Sequence, residues 1–388
     1  MSQLKQSQES TRCIPPIMFK DYITKDIGIE LNIKELKNYT LFECLGKGAL
    51  GEVYLVKNMT DGKTSALKVI DLSKEGATEK FEKEKENFKL FTKDKKSCVQ
   101  DYINCHLGVY ATDKYGLILM NYFPKDLKSA MSGTSFYEQV IENKSQSLPR
   151  FIRWVKELVE AVDYMHKHKI GHGDIKPANI LINTLSDTIA ITDFDTICIP
   201  KKKDLCYPTE STPLYASPDL DLATTPKNIG KAISLDIIQL SDWWATCRII
   251  LELWFGVDKM NTLFPVMTIE YYTQLSKDSE VYRNINREIS LTTEAMSKKL
   301  TSDNKQLFTK EEWEAIHNLL ANNVFLLFRK IGSKDPDINE FIKDTFIKNI
   351  KNLPEFSGLL KKSQKGGSTD DYYKMKYLKY KMKYLALK

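Results

Sequence analysis

Between His172 and Leu181 the chain reads H-G-D-I-K-P-A-N-I-L, which puts a carboxylate (Asp174), an ammonium (Lys176) and a carboxamide (Asn179) within six residues. Packing alone hardly explains polar function at that density. Three other segments could work with it. In Gly46-Lys47-Gly48-Ala49-Leu50-Gly51-Glu52-Val53 the glycines would let backbone N–H groups approach a polyphosphate with no Cβ in the way, and Val53 could cover an adenine ring. Alone, the segment reads equally well as a glycine-rich hairpin, and a dinucleotide-binding crossover is disfavoured because a strand rather than a helix follows Gly51. Lys68, in Ala66-Leu67-Lys68, either snorkels outward or reaches inward to an anion. Glu84 has Phe81 before it and Phe88 and Phe91 after it at helical spacing, so it lies on or beside an inward face; paired with Lys68 it would hold the ammonium at phosphates. Glu82 and Glu86 read as solvated.

These groups need a scaffold, and the pattern supplies one. Residues 1–35 show no sustained period and read as an arm of uncertain order. From Tyr39 the pattern is strand-like over 39–45, 51–57 and 65–70, with a charged helix over 78–91 and two more strand-like runs ending at Tyr122. Helical signals dominate from about 126: an amphipathic segment over 151–168 carries Ile152, Val155, Leu158, Val159 and Val162 on one stripe, and 243–255 is strongly apolar. The fold class expected is α+β and bilobal, with a small β-rich N-lobe (36–122), a larger mostly helical C-lobe (123–355), a flexible linker (356–370) and a basic amphipathic tail helix (371–388).

Composition excludes several classes. The chain has 388 residues, 42% hydrophobic and 28% charged, which fits neither a fibrous nor a disordered protein. No apolar run reaches eighteen residues and the N-terminus is polar, so neither a transmembrane segment nor a secretory signal is expected; the reading is a soluble, intracellular, cytoplasmic protein. Seven scattered cysteines with no C-x-x-C spacing lead to an expectation of reduced thiols. A net charge of +6 is too mild to imply nucleic acid by itself. His166, His168 and His172 read as two solvent-facing imidazoles and one packed in the loop rather than as metal ligands.

With the glycine loop, the strand lysine, H-G-D-I-K-P-A-N and Asp193-Phe194-Asp195 in this order, the chain resembles eukaryotic-type serine/threonine protein kinases. The resemblance implies ATP and Mg²⁺ as cofactors and a protein substrate with a Ser/Thr acceptor. It implies that Asp174 accepts the substrate's hydroxyl proton, that Lys176 steadies the transferring group, that Asn179 and Asp193 hold the metal, and that Lys68 contacts the α and β phosphates. Gly46, Gly48, Gly51, Val53, Ala66, Glu84, Met120, Asn121, Phe123 and Leu181 would complete the ATP site, with Met120 as gatekeeper and 121–123 as hinge. Leu107, Phe88, His172 and Phe194 match a stacked regulatory spine, Asp242-Trp243-Trp244 the start of a buried helix, and Thr212-Pro213-Leu214-Tyr215-Ala216-Ser217-Pro218-Asp219 the substrate-docking loop.

Departures from the family pattern are specific. Gly173 replaces the arginine that pairs with a phosphorylated activation loop, which makes loop-phosphate control through that position unexpected and resembles the casein-kinase-1-like and viral branch. Asp195 replaces a glycine and argues against large flips of that segment. Asp219 is one methylene shorter than the usual glutamate, with no assignable arginine partner, and about eleven extra residues separate it from Asp242. Lys201-Lys202-Lys203 could favour acidic substrates, and Thr196, Thr209 and Ser211 are candidate phosphosites on composition alone. Two alternatives stay open: a pseudokinase scaffold, supported by Asp195, Gly173 and Asp219, and a small-molecule phosphotransferase, since H-G-D with a downstream asparagine also resembles aminoglycoside and choline kinases. The tail resembles Tyr/Lys-rich tails on proteins of large DNA viruses, which would place the protein in host cytoplasm or virion. Its six lysines among aromatic stripes could bind an anionic membrane, nucleic acid or a partner helix.

Overall fold

The structure, a computed structural model, describes residues 33–47, 51–91, 101–200, 204–264 and 280–356, without the side chains of 88–90. Residues 1–32 of the arm, Gly48 with Ala49 and Leu50, the Phe88 side chain, Lys201-Lys202-Lys203, and the linker and tail helix from 357 onward lie outside the described residues.

Strands β1 (Tyr39–Lys47), β2 (Gly51–Asn58) and β3 (Thr64–Asp71) precede helix α1 (Ala77–Phe91), and β4 (His106–Ala111) and β5 (Tyr115–Asn121) follow it. They form one antiparallel sheet in the order β1-β2-β3-β5-β4. Side chains alternate across its two faces. Leu67 and Val69 of β3 join Leu41, Tyr54, Val56, Leu117 and Leu119 in an apolar cluster on one face, which sends Lys68, between them, to the other. On that second face Ala77 and Phe81 of α1 pack on Ile70 and Ile118, so the helix carrying Glu84 lies against the strand carrying Lys68.

The second lobe begins with β6 (Lys125–Asp126), α2 (Leu127–Met131) and α3 (Phe136–Lys167). A capping box between Ser135 and Glu138 starts α3 well before the stripe at 151, and the helix is kinked at Asn143 and contains Pro149. The expected stripe residues Ile152, Val155, Leu158, Val159 and Val162 are all buried. A hairpin of β7 (Ile180–Asn183) and β8 (Thr188–Ile191) follows, then β9 (Leu205–Cys206), α4 (Pro218–Ala223), β10 (Ile233–Ser234) and α5 (Leu235–Phe255). Every residue of α5 from Ser241 to Trp254 is buried, so this helix forms the pillar of the lobe rather than a one-sided surface helix. Further helices over Glu280–Lys298, Lys310–His317 and a run from Asn318 to Gly332 pack around it, with Phe328 stacked on Trp244 at 4.0 Å.

The extra residues between Asp219 and Asp242 have a structural task. They end α4 and supply β10, which pairs with β9 through Ile233↔Cys206 and Ser234↔Leu205. The expectation of reduced thiols fails nearby: Cys198 and Cys206 form a disulfide with Cα atoms 5.7 Å apart. No cysteine spacing signals it, because the sulfurs meet only where the chain reverses between a bridge from Cys198 to Gly171 and β9. Among the described residues no helix is long and apolar enough to cross a membrane.

Candidate active site

Lys68 Nζ lies 2.6 Å from Glu84 Oε1, 3.7 Å from Asp193 Oδ1 and 3.8 Å from Asp195 Oδ2. Burial opposes the ammonium, but Glu84, Asp195 and Asp193 together outweigh it and hold Lys68 above the usual lysine range. Helix α1 is tied to the Asp193-Phe194-Asp195 segment at two more points: Lys83 Nζ donates to the Asp195 carbonyl at 3.0 Å and Asn87 Nδ2 to the Phe194 carbonyl at 3.3 Å. A third tie runs from Lys80 to Glu210 at 2.7 Å. The sequence reading missed Lys80, Lys83 and Asn87, although their positions around Glu84 follow the i, i+3, i+4, i+7 pattern of one helix face.

Below the sheet, the loop after α3 is shaped by Asp242 of α5. Its carboxylate accepts from the backbone N–H of His172 at 2.8 Å and of Gly173 at 2.9 Å, and meets His166 Nε2 at 3.0 Å. Gly173 has φ +81°, a left-handed conformation that glycine adopts without the strain a side chain would bring. His166 is therefore not solvent-facing as expected: it is 11% exposed and packs edge-on to Trp243. The buried His172 bonds to the Thr192 carbonyl at 3.1 Å, and only His168 is exposed.

Around Asp174 the groups converge. Thr212 Oγ1 donates to Asp174 Oδ1 at 2.6 Å, and Lys176 Nζ donates to Asp174 Oδ2 at 2.5 Å and to Thr212 Oγ1 at 3.1 Å. Asn179 Nδ2 donates to the Asp174 carbonyl at 2.9 Å. Asp193 takes φ +69°, while Asp195 has no positive φ, so the missing glycine is not needed for this backbone.

Phe194 stacks on Phe91 at 4.7 Å and meets His172 edge-on at 5.7 Å. Leu107 does not join them. It packs with the cluster on the opposite sheet face, because a bulge between His106 and Gly108 breaks the alternation, and His106 Nε2 comes within 3.7 Å of Glu84 instead.

The two lobes enclose a cleft of about 640 Å³, within the range of small-molecule sites. Lys68, Glu84, Asp174, Lys176, Asn179 and Asp193 all line it, and so do Gly46, Gly51, Val53, Ala66, Met120, Asn121, Phe123 and Leu181. Thr212 joins through its bonds to Asp174 and Lys176. Gly51 has a reason of its own: a Cβ there would stand 2.1 Å from the Val69 carbonyl oxygen. Burial, and after it the hydrogen bond and charge contact with Asp195, push the Asp193 pKa well above the usual carboxylate range. Asp193 and Asp195 share a hydrogen bond and Asn179 lines the same cleft, and carboxylate and carboxamide oxygens are the donor type that a hard divalent cation takes.

The substrate-loop end is anchored as well. Asp219 pairs with Lys334 at 2.7 Å, a lysine rather than an arginine, and the Tyr215 hydroxyl donates to Glu252 of α5 at 2.9 Å.

With this geometry in place, comparison with known proteins gives the family: the Protein kinase domain matches residues 39–352, and the chain belongs to that family. Similar proteins include the Aurora kinase of Eremothecium gossypii, 30% identical over 190 residues, 49% of this chain and 48% of that protein. The carbon catabolite-derepressing protein kinase of Candida glabrata is 23% identical over 202 residues (51% of this chain, 30% of that protein). The serine/threonine-protein kinase greatwall of Xenopus tropicalis is 24% identical over 203 residues (51% of this chain, 21% of that protein). The chain thus spans less than half the length of each of these relatives.

Proposed function

We propose that the chain is an ATP- and Mg²⁺-dependent kinase that transfers the γ-phosphoryl group to serine or threonine hydroxyls of a protein substrate. The observation that carries this reading is the cluster at Asp174, whose carboxylate accepts a threonine hydroxyl proton on one oxygen and the Lys176 ammonium on the other. A substrate hydroxyl replacing that of Thr212 would find the same acceptor, and Asp174 would take its proton as the new O–P bond forms. Lys176 would neutralise charge on the transferring group, and Lys68, held by Glu84, would hold the α and β phosphates. Asn179 and Asp193 would supply oxygen atoms to Mg²⁺, which when bound would neutralise phosphate charge. Positioning and charge then do most of the catalytic work, as a loose phosphoryl transition state allows.

Specificity for Ser/Thr rests on the bond from Lys176 to Thr212, the two residues that resemble those of serine/threonine kinases, and on similarity to the serine/threonine-protein kinase greatwall. The test is label transfer from γ-labelled ATP to dephosphorylated casein by wild type and Asp174→Asn. Loss of at least about 10²-fold in the variant supports the mechanism. Equal transfer overturns it. A thermal shift with Mg·ATP but no turnover in the wild type would favour the scaffold reading.

A further inference from the structure

We propose that Glu210 is a built-in anion that positions the substrate loop through Lys80 of α1, so that phosphotransfer needs no phosphate on this segment. The inference rests on the kinase reading of the same cleft.

Lys80 Nζ donates to Glu210 Oε1 at 2.7 Å across 130 residues of chain, and both residues line the cleft. Glu210 lies two residues before Thr212, whose hydroxyl is bonded to Asp174. The same helix face carries Glu84 to Lys68 and, through Lys83 and Asn87, grips the carbonyls of Asp195 and Phe194. Helix α1, the Asp193-Phe194-Asp195 segment and the substrate loop are therefore joined by one series of contacts, and the Lys80–Glu210 bond is the link from the helix to the loop.

Among the described residues, a phosphate would find less to hold it here. Gly173 offers no cation where the family's loop-phosphate arginine stands, and its N–H is committed to Asp242. Ser211 is engaged with the Thr224 hydroxyl at 2.7 Å, and Thr196 donates to the His172 carbonyl at 2.9 Å. Lys80 already has an anionic partner. Burial lowers its pKa, but the bond and charge of Glu210, with the charge of Asp195, more than offset this and leave the ammonium above the ordinary lysine value. The side chains are 37% and 51% exposed, which limits the tie to the strength of a surface ion pair.

The test uses the full chain made in bacteria, treated with a broad-specificity phosphatase and checked by intact mass. Rates are measured with Mg·ATP and dephosphorylated casein for wild type, Glu210→Gln, Lys80→Gln and the swap Lys80→Glu with Glu210→Lys. The expected result is that dephosphorylated wild type works as fast as untreated enzyme. Each single variant loses about fivefold in kcat/KM for casein, the upper end for an exposed pair. The swap recovers most of the loss, which general destabilisation would not. A wild type that is idle until phosphorylated, a Glu210→Gln variant at full rate, or a swap no better than the singles overturns the inference. An Asp174→Asn control at wild-type rate would instead show that the kinase reading has failed.

Discussion

Lys68 and Glu84 meet at 2.6 Å across 16 residues and a change from strand to helix, and the Glu84 side chain is only 3% exposed. Burial holds the Glu84 pKa above the usual carboxylate range, and the facing ammonium opposes that rise only in part. Lys68→Met should therefore cut phosphotransfer by at least about 10²-fold and cost about 1–3 kcal/mol of stability from the orphaned acid. Glu84→Gln should cost less in rate, about tenfold, because Asp193 and Asp195 still face the ammonium. Initial rates together with urea unfolding check both. A Lys68→Met variant as active as wild type would remove the lysine from the reaction.

Which parts were legible in the sequence follows from how locally each is encoded. The loop from His172 to Leu181 and the strand lysine could be read because their chemistry lies in contiguous motifs, and β3 could be read because Leu67 and Val69 alternate with Lys68. The first half of α3 could not, since the kink at Asn143 and the proline at 149 break the helical period. Leu107 matches the spine only by resemblance, and a bulge that no motif encodes turns it to the other face of the sheet. The roles of Asp242 and Lys334 depend on partners 70 and 115 residues away, and the Cys198–Cys206 pair on a chain reversal, so no local pattern contains them.

Asp242 orients the catalytic loop without touching the cleft. Its two oxygens take the N–H groups of His172 and Gly173, and it is 1% exposed. Asp242→Asn would turn an amide NH₂ towards a backbone N–H, at a cost of about 1–3 kcal/mol. Phosphotransfer should drop at least about tenfold, because Asp174 loses its register with Lys176 and Thr212. Urea unfolding and rates with Mg·ATP measure the two effects, and an unchanged rate would mean the loop holds its shape without this acceptor.

Arg248 and Glu252 form a fully buried ion pair inside α5, with Nε 2.8 Å from Oε1 and both side chains 0% exposed. The rest of the guanidinium donates to the Phe264 carbonyl at 3.2 Å and to Asn261 Oδ1 at 3.0 Å, while Tyr215 from the substrate loop holds the other carboxylate oxygen. Arg248→Met should destabilise the fold by about 3–5 kcal/mol, because it strands a buried carboxylate. Adding Glu252→Gln should recover a large part of that loss, since no unpaired charge then remains. A double-mutant cycle by chemical denaturation decides it; additive losses would mean that the cost comes from packing rather than charge.

Glu157 of α3 gives the fold a pH dependence of predictable sign. Its side chain is buried and accepts a hydrogen bond from the Ile189 N–H at 2.9 Å. Burial lifts its pKa from 4.5 to about 7, with that bond and Arg153 only partly opposing. The folded state then binds more protons than the unfolded chain between those two values, so stability falls as pH rises from about 4.5 through about 7 and levels off above. The contribution is on the order of 1–3 kcal/mol. Glu157→Gln keeps an acceptor for Ile189 and removes the titration. It should leave stability near pH 5 almost unchanged, raise it at pH 8 by that amount, and flatten the slope between. Urea midpoints at half-unit steps of pH are the measurement, and a variant whose curve runs parallel to wild type would show that the slope comes from other groups.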